Sequence, residues 1–256
     1  MRAAWEHDAE TCFFERDQNL AVARRALVEA VGTLLLMFAV VGSGLVAEHL
    51  FGTSPEIGLM VSAIATAGAL VGLILAFGAV SGGHFNPLIS GLQWLAGERR
   101  LDCTIAYVVA QCGGGIAGAL LANLVFGVER QLVTPVPASW PLVSSEIVAA
   151  AGLMLVVFGC ARGGRSETGP FAVGAWLAAA IVAMPSASYA NPAIVLGAIF
   201  AAGPAGLSPT IAALYPPAEF VGALIAFLII AIAYPRRAID APRIAVMAAP
   251  DRTAGA

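Results

Sequence analysis

A near-duplicate tripeptide stands once in each half of the chain, Asn86-Pro87-Leu88 and Asn191-Pro192-Ala193. Asparagine is a strong helix N-cap, and proline suits the first helical position because its missing N–H would be unpaired there anyway. Each tripeptide therefore reads as a helix start. Both lie among long apolar segments, behind the small-residue runs Ser81-Gly82-Gly83-His84-Phe85 and Ser186-Ala187-Ser188-Tyr189-Ala190. Backbone N–H groups left unpaired in hydrocarbon cost on the order of several kcal/mol each. Both helix starts must then face protein or a water-lined cavity. Two such starts in matching places point to a pore.

Composition puts the chain in a membrane. It is 59% hydrophobic and only 11% charged over 256 residues, against about 25% charged in a soluble domain. A net charge of -3 suggests no polyanionic partner, and so no nucleic acid. All 13 basic residues are arginine. Cys12, Cys103, Cys112 and Cys160 form no C-x-x-C pair and have no histidine placed beside them for a metal, so they read as small buried hydrophobes. No cofactor is implied. The acidic residues Glu6, Asp8, Glu10, Glu15 and Asp17 ahead of the first apolar run are the wrong flank for a signal peptide.

A membrane helix needs about 20 largely apolar residues. Six segments meet or approach that length: Ala26–Val46, Gly58–Val80, Thr104–Phe126, Leu142–Ala161, Phe171–Met184 (short) and Ala218–Tyr234. The pieces opened by the tripeptides, Asn86–Ala96 and Asn191–Phe200, would cross only about half the hydrocarbon at about 1.5 Å per residue. With both termini cytoplasmic, every arginine except Arg130 lies inside, as the positive-inside rule requires. A missing or extra span would spoil that pattern.

The halves also repeat. Glu29 and Leu36-Met37 in the first span match Glu146 and Leu153-Met154 in the fourth. After each tripeptide, a span opens Ala-polar-x-x-Gly, as Ala110-Gln111-x-x-Gly114 and Ala218-Glu219-x-x-Gly222. Three spans and a half-span per unit put the two copies into the membrane in opposite directions. The expected division is a cytoplasmic tail over 1–24, repeats over 25–130 and 131–236, and a second cytoplasmic tail over 237–256.

These residues resemble the aquaporin (major intrinsic protein) superfamily. Ser81-Gly82-x-His84-x-Asn86-Pro87, Asn191-Pro192-Ala193, the paired Glu29 and Glu146, and Ala110-Gln111 carry the likeness, which runs from about Arg25 to Arg236. The resemblance implies an all-α integral membrane protein, with six tilted helices around two half-helices in an inverted repeat. It further implies one pore per subunit, a homotetramer, residence in the cell (plasma or inner) membrane, and no enzymatic activity. In this family the paired glutamates accept backbone N–H bonds from the motif loops.

The physics of such a pore follows from its parts. Each half-helix directs the positive end of its dipole at the midplane, which raises the energy of a cation there. Asn86 and Asn191 would cap through their amide oxygens and keep their NH₂ groups for a solute. Backbone carbonyls of Gly82, Gly83 and His84, and of Ala187 and Ser188, would lead to them. The filter departs from the family. Ile194 stands where many members place arginine, Thr66 where water-selective members place a large aromatic, and Ser188 at the loop position. Trp176, Ala180 and Ile181 all remain open for the fifth-span position. An uncharged, less bulky filter suits small neutral solutes larger than water: glycerol, urea, ammonia, or metalloid acids such as arsenous acid.

Several residues carry two readings. Glu29 and Glu146 either support the loops or couple protons, and the second option would suit an ion-coupled secondary transporter on the same inverted-repeat plan. Glu219 either supports the core like Gln111 or faces the outer interface. His84 either titrates as a gate or packs in its loop. Leu88 either packs against a neighbour or narrows the cytoplasmic side.

Overall fold

The computed structural model describes residues 20–52, 54–130, 137–165 and 167–234. The tails expected over 1–24 and 237–256 fall mostly outside this range, as does Cys12. Eight α-helices are present among the described residues: α1 (Val22–Phe51), α2 (Pro55–Ser81), α3 (Pro87–Leu95), α4 (Leu101–Phe126), α5 (Trp140–Arg162), α6 (Gly169–Ala183), α7 (Pro192–Ala198) and α8 (Pro209–Ala233). Their lengths run long, long, short, long, and then do so again. A short 3₁₀ turn at Gly203–Ala205 precedes α8.

Five of these helices are long and apolar enough to cross a membrane. The sixth, α6, has 15 residues, about 22 Å at 1.5 Å per residue. The bundle turns its apolar side outward: Ile64, Leu124 and Ile232 are 71%, 77% and 81% exposed, whereas Glu29, Gln111, Glu146 and Glu219 are all 0% exposed. That is the arrangement a lipid solvent imposes, with ionisable groups facing the bundle interior. An apolar cluster including Leu36, Met37, Leu88, Met154 and Ile194 fills the space between helices.

Close helix approach is written in glycine. α1 packs on α4 and α5 on α8. A Cβ on Gly114 or Gly118 would overlap the Ala30 or Leu34 carbonyl, and one on Gly222 would overlap that of Ile147. The small residues thus let backbones meet directly, the usual basis of packing in lipid.

Contacts at the helix ends fix their direction. The start of α1 meets the start of α4, where the Arg25 Nη2 lies 3.3 Å from the Cys103 Sγ. The end of α5 joins the same end of the bundle through the Arg162–Glu98 ion pair. At the opposite end, Gly44 of α1 lies against Pro204, and Asn123 of α4 clamps the chain after α7, donating to the Phe200 carbonyl and accepting from the Ala202 N–H. So α3 runs toward the end holding Arg99, while α7 runs toward the end holding Phe200. The two half-helices enter from opposite sides.

Most helix ends differ from the expected spans by a few residues, and one boundary differs by much more. The last helix begins at Pro209, not Ala218, and runs through Pro216 and Pro217. Ser208 caps it, its hydroxyl accepting from the Ile211 N–H at 3.4 Å. Proline interrupts a helix in water because the freed carbonyls and the ring are hard to accommodate. Inside a packed membrane bundle neighbouring helices tolerate such breaks.

Candidate functional site

The site is built from two loops that fold alike. In the first, Gly82, Gly83 and Phe85 adopt left-handed backbone at φ 93°, 64° and 47°; in the second, Ala187, Ser188 and Ala190 do so at 59°, 53° and 45°. Each loop thus turns at the same three places before its asparagine. A backbone so contorted cannot satisfy its own N–H groups by regular structure, and in each loop a glutamate takes them. Glu29 accepts from the N–H groups of His84 (3.0 Å) and Phe85 (2.6 Å). Glu146 accepts from those of Tyr189 (3.0 Å) and Ala190 (2.8 Å).

The asparagines then close the centre. Asn86 Oδ1 accepts from the Leu88 N–H at 2.9 Å and Asn191 Oδ1 from the Ala193 N–H at 3.0 Å, capping α3 and α7. Their amide nitrogens reach across. Asn86 Nδ2 donates to the Ala190 carbonyl and Asn191 Nδ2 to the Phe85 carbonyl, both at 2.8 Å. This reciprocal clasp corrects one sequence expectation: the NH₂ groups are not wholly free. An amide nitrogen carries two N–H donors, and one of each pair is committed to the opposite loop.

A cavity of about 340 Å³ runs past this clasp. Asn86, Asn191, Gly83, His84, Ala187 and Ser188 all line it. Gly82 does not; it ends α2, its N–H turned back onto the Gly78 carbonyl at 2.8 Å. Thr66, Ser188 and Ile194 share the wall with Ile181. The hydroxyls of Thr66 and Ser188 are buried without a protein partner, so neither is committed to another part of the fold. Of the three residues left open in α6, Ile181 alone lines the cavity. Trp176 packs onto α5 instead, against Gly152, with its Nε1 donating to the Ala149 carbonyl at 3.2 Å. Ala180 is buried away from the cavity. Leu88 belongs to the apolar cluster and does not narrow the cavity.

His84 is paired on one side and buried without a partner on the other. Its Nδ1 lies 2.9 Å from Ser90 Oγ and its ring sits edge-on to Tyr107, while Nε2 has no protein partner. Sequence reasoning passed over several supporting residues. Glu29 also accepts from the Ser81 hydroxyl (2.6 Å) and Gln111 Nε2 (2.8 Å), and Tyr107 donates to the Ser81 carbonyl (2.7 Å). Gln111 carried a signal through its Ala-polar-x-x-Gly spacing and Ser81 through its place at the head of the first motif; Tyr107 carried none. Cys103 is more than a small hydrophobe, since the Arg25 and Arg99 guanidinium groups lie 3.3 and 3.2 Å from its sulfur. Glu219 is fully buried and accepts from the Asn191 N–H at 2.9 Å, which removes the outer-interface reading. Among the described residues no cluster of three or more histidine, cysteine, aspartate or glutamate side chains could hold a metal.

A helical membrane bundle with two opposed half-helices, joined tip to tip beside an internal cavity, has the architecture of a channel. The chain belongs to the family described as Major intrinsic protein, which matches residues 17–229. It is 39% identical over 214 residues to the aquaglyceroporin AqpS of Rhizobium meliloti (strain 1021), covering 82% of this chain and 89% of that protein. It is 34% identical over 192 residues to aquaporin-8 of Mus musculus, covering 69% and 70% respectively. The X-ray structure of the aquaglyceroporin from Plasmodium falciparum superposes with a TM-score of 0.65 at 16% identity, over 82% of this chain and 96% of that one, and speaks for the fold. The protein is a passive membrane channel of this family and not an enzyme.

Proposed function

We propose that the channel passes small uncharged solutes larger than water (glycerol, urea, ammonia, undissociated metalloid acids such as arsenous acid) along with water itself, and excludes ions and protons at its centre. The observation that carries this reading is the cavity wall at Thr66, Ile181, Ser188 and Ile194, which sets two hydroxyl-bearing residues and two isoleucines, and no charge, around the lumen. A polyol or urea needs a few hydrogen-bond partners on an apolar wall, the general recipe for a small-molecule site. The relative named as an aquaglyceroporin supports the same solute class.

The centre supplies the barrier. α3 and α7 bring their positive dipole ends to the Asn86–Asn191 clasp. Each asparagine keeps one amide N–H beyond the clasp, and both line the cavity. Two fixed donors orient the oxygen of a passing molecule, so a water there donates outward in both directions and cannot relay a proton. Glu29 and Glu146 hold the loops, with their oxygens engaged by loop N–H groups, and this argues against coupling a solute to protons through them.

In this reading the repeats are 25–130 and 131–236, both termini are cytoplasmic, and the protein sits in the cell membrane as a homotetramer. Gly68 and Gly72 support the assembly. They stand exposed on α2 with nothing near a Cβ position, leaving a ridge on which a second copy can pack closely. The functional test is stopped-flow light scattering on proteoliposomes, comparing water, glycerol and urea with empty liposomes. Glycerol or urea flux well above background is expected. Water flux alone would overturn the open-filter reading.

A further inference from the structure

The two halves anchor their loops with different chemistry, and the difference leaves a carboxylate oxygen unpaired where the first half has only a neutral amide oxygen, Gln111 Oε1, without a partner. Gly114 packs on the carbonyl of Ala30, the residue after Glu29; Gly222 packs on that of Ile147, the residue after Glu146. Gln111 and Glu219 lie three residues ahead of those glycines, so Glu219 stands to Glu146 as Gln111 stands to Glu29. In the first half the relation is an ordinary hydrogen bond, Gln111 Nε2 donating to Glu29 Oε2 at 2.8 Å. In the second, a carboxyl neighbours a carboxyl: Glu146 accepts from the Ala190 N–H and Glu219 from that of the next residue, Asn191. Glu219 Oε1 accepts from the Asn191 N–H, but Glu219 Oε2 is buried without any donor.

We propose that Glu219 is a carboxylic acid whose O–H donates to Glu146 while its other oxygen accepts from Asn191, making it a positioning residue for the second pore asparagine. The inference rests on the channel reading above. Among the described residues no cation faces the pair. The groups around it are the Asn191 backbone, the phenols of Tyr189 and Tyr215, and Glu146 itself. The Tyr189 hydroxyl donates elsewhere, to the Ala205 carbonyl at 3.0 Å. α3, which also touches α8, contributes no titratable side chain. Two adjacent carboxylates in this setting would repel across a low-dielectric interior with an anionic oxygen unpaired. A single shared proton removes both problems. It leaves one negative charge per half, since Glu29 with the neutral Gln111 also amounts to one. Such a proton belongs to the pair as a unit.

The test uses the full-length protein in proteoliposomes. Infrared spectra with isotope-labelled glutamate at neutral pH should show a protonated-carboxyl C=O band that is missing in Glu219→Gln. Glycerol and water flux should fall several-fold in Glu219→Ala and be restored in Glu219→Gln, whose amide donates to Glu146 as Gln111 does to Glu29. Wild-type flux should decline reversibly toward alkaline pH, and that of Glu219→Gln should stay flat. Absence of the band from the wild type, its persistence in Glu219→Gln, or the same alkaline decline in both proteins would overturn the proposal. A wild type without flux that keeps the band would sink the channel reading and leave the shared proton standing.

Discussion

The first half of the molecule holds its pore loop with a dense polar network; the second holds its own more sparely. Glu29 receives four donors: the Ser81 hydroxyl, the His84 and Phe85 N–H groups, and the Gln111 amide. Glu146 receives the Tyr189 and Ala190 N–H groups, with Glu219 beside it. The first loop uses glycine at two of its three left-handed positions, the second at none. Yet the outcome at the centre is the same, two 2.8 Å bonds exchanged between the asparagines and the opposite loop. The difference teaches that the backbone path and the capped asparagine are what the pore requires, while the side chains enforcing them are interchangeable.

If the anchoring network sets loop stability, its loss should hurt the first half more. Glu29→Ala strands four buried donors, at about 1–3 kcal/mol each, and should abolish a folded channel. Glu146→Ala strands two loop N–H groups and, with them, the proposed Glu219 O–H, and should leave a weakened one. Thermal melts in detergent with glycerol flux on the same preparations check this. Equal losses in the two variants would show that the number of bonds does not govern the loop.

The clasp, by contrast, predicts symmetry. Asn86→Asp and Asn191→Asp each replace a donor with an oxygen facing a carbonyl 2.8 Å away and place an anion where two dipole ends meet. Both should raise cation conductance to a similar degree in planar bilayers. A variant that stays electrically silent would undercut the barrier argument, and a large difference between them would break the equivalence of the halves.

How much of this was legible beforehand depends on how local the signal is. The half-helices, their caps and the number of spans could be read because Asn-Pro chemistry and hydropathy act within a few residues. The α8 boundary was misread because Pro216-Pro217 punctuates a helix in water but not in a packed bundle. Ile181 could not be told from Trp176, since that choice is made by Gly152 on another helix, which receives the indole. Glu219 was ambiguous for the same reason, and the reading of Cys103 as a small hydrophobe fell short for it too. The Asn191 partner of Glu219 is 28 residues away in sequence, and the Arg25 partner of Cys103 is 78 away.

The position after each tripeptide offers a milder test. Ile89 and Ile194 are equivalent in the two halves and both line the cavity. Ile194→Arg places a guanidinium beside the Thr66 and Ser188 hydroxyls and should cut glycerol flux several-fold while sparing water. Unchanged glycerol uptake would show that the constriction lies elsewhere. Ile89→Arg on the opposite side of the clasp has no such hydroxyl pair in its neighbourhood to narrow, and should affect glycerol and water alike.

The smallest expected effect concerns the backbone itself. A non-glycine residue in left-handed conformation costs about 1–2 kcal/mol, whereas glycine costs about 0.5–1 kcal/mol in lost freedom on folding. Ala187→Gly, at φ 59°, should therefore stabilise the second loop by up to about 1 kcal/mol. Gly82→Ala, at φ 93°, should destabilise the first by at least about that much. Melting midpoints of the two variants against wild type decide the matter. Should Ala187→Gly melt lower instead, the methyl group of Ala187 on the cavity wall holds the loop more firmly than its conformation strains it. The second half would then have exchanged backbone freedom for packing, and the spareness of its hydrogen bonding would be only apparent.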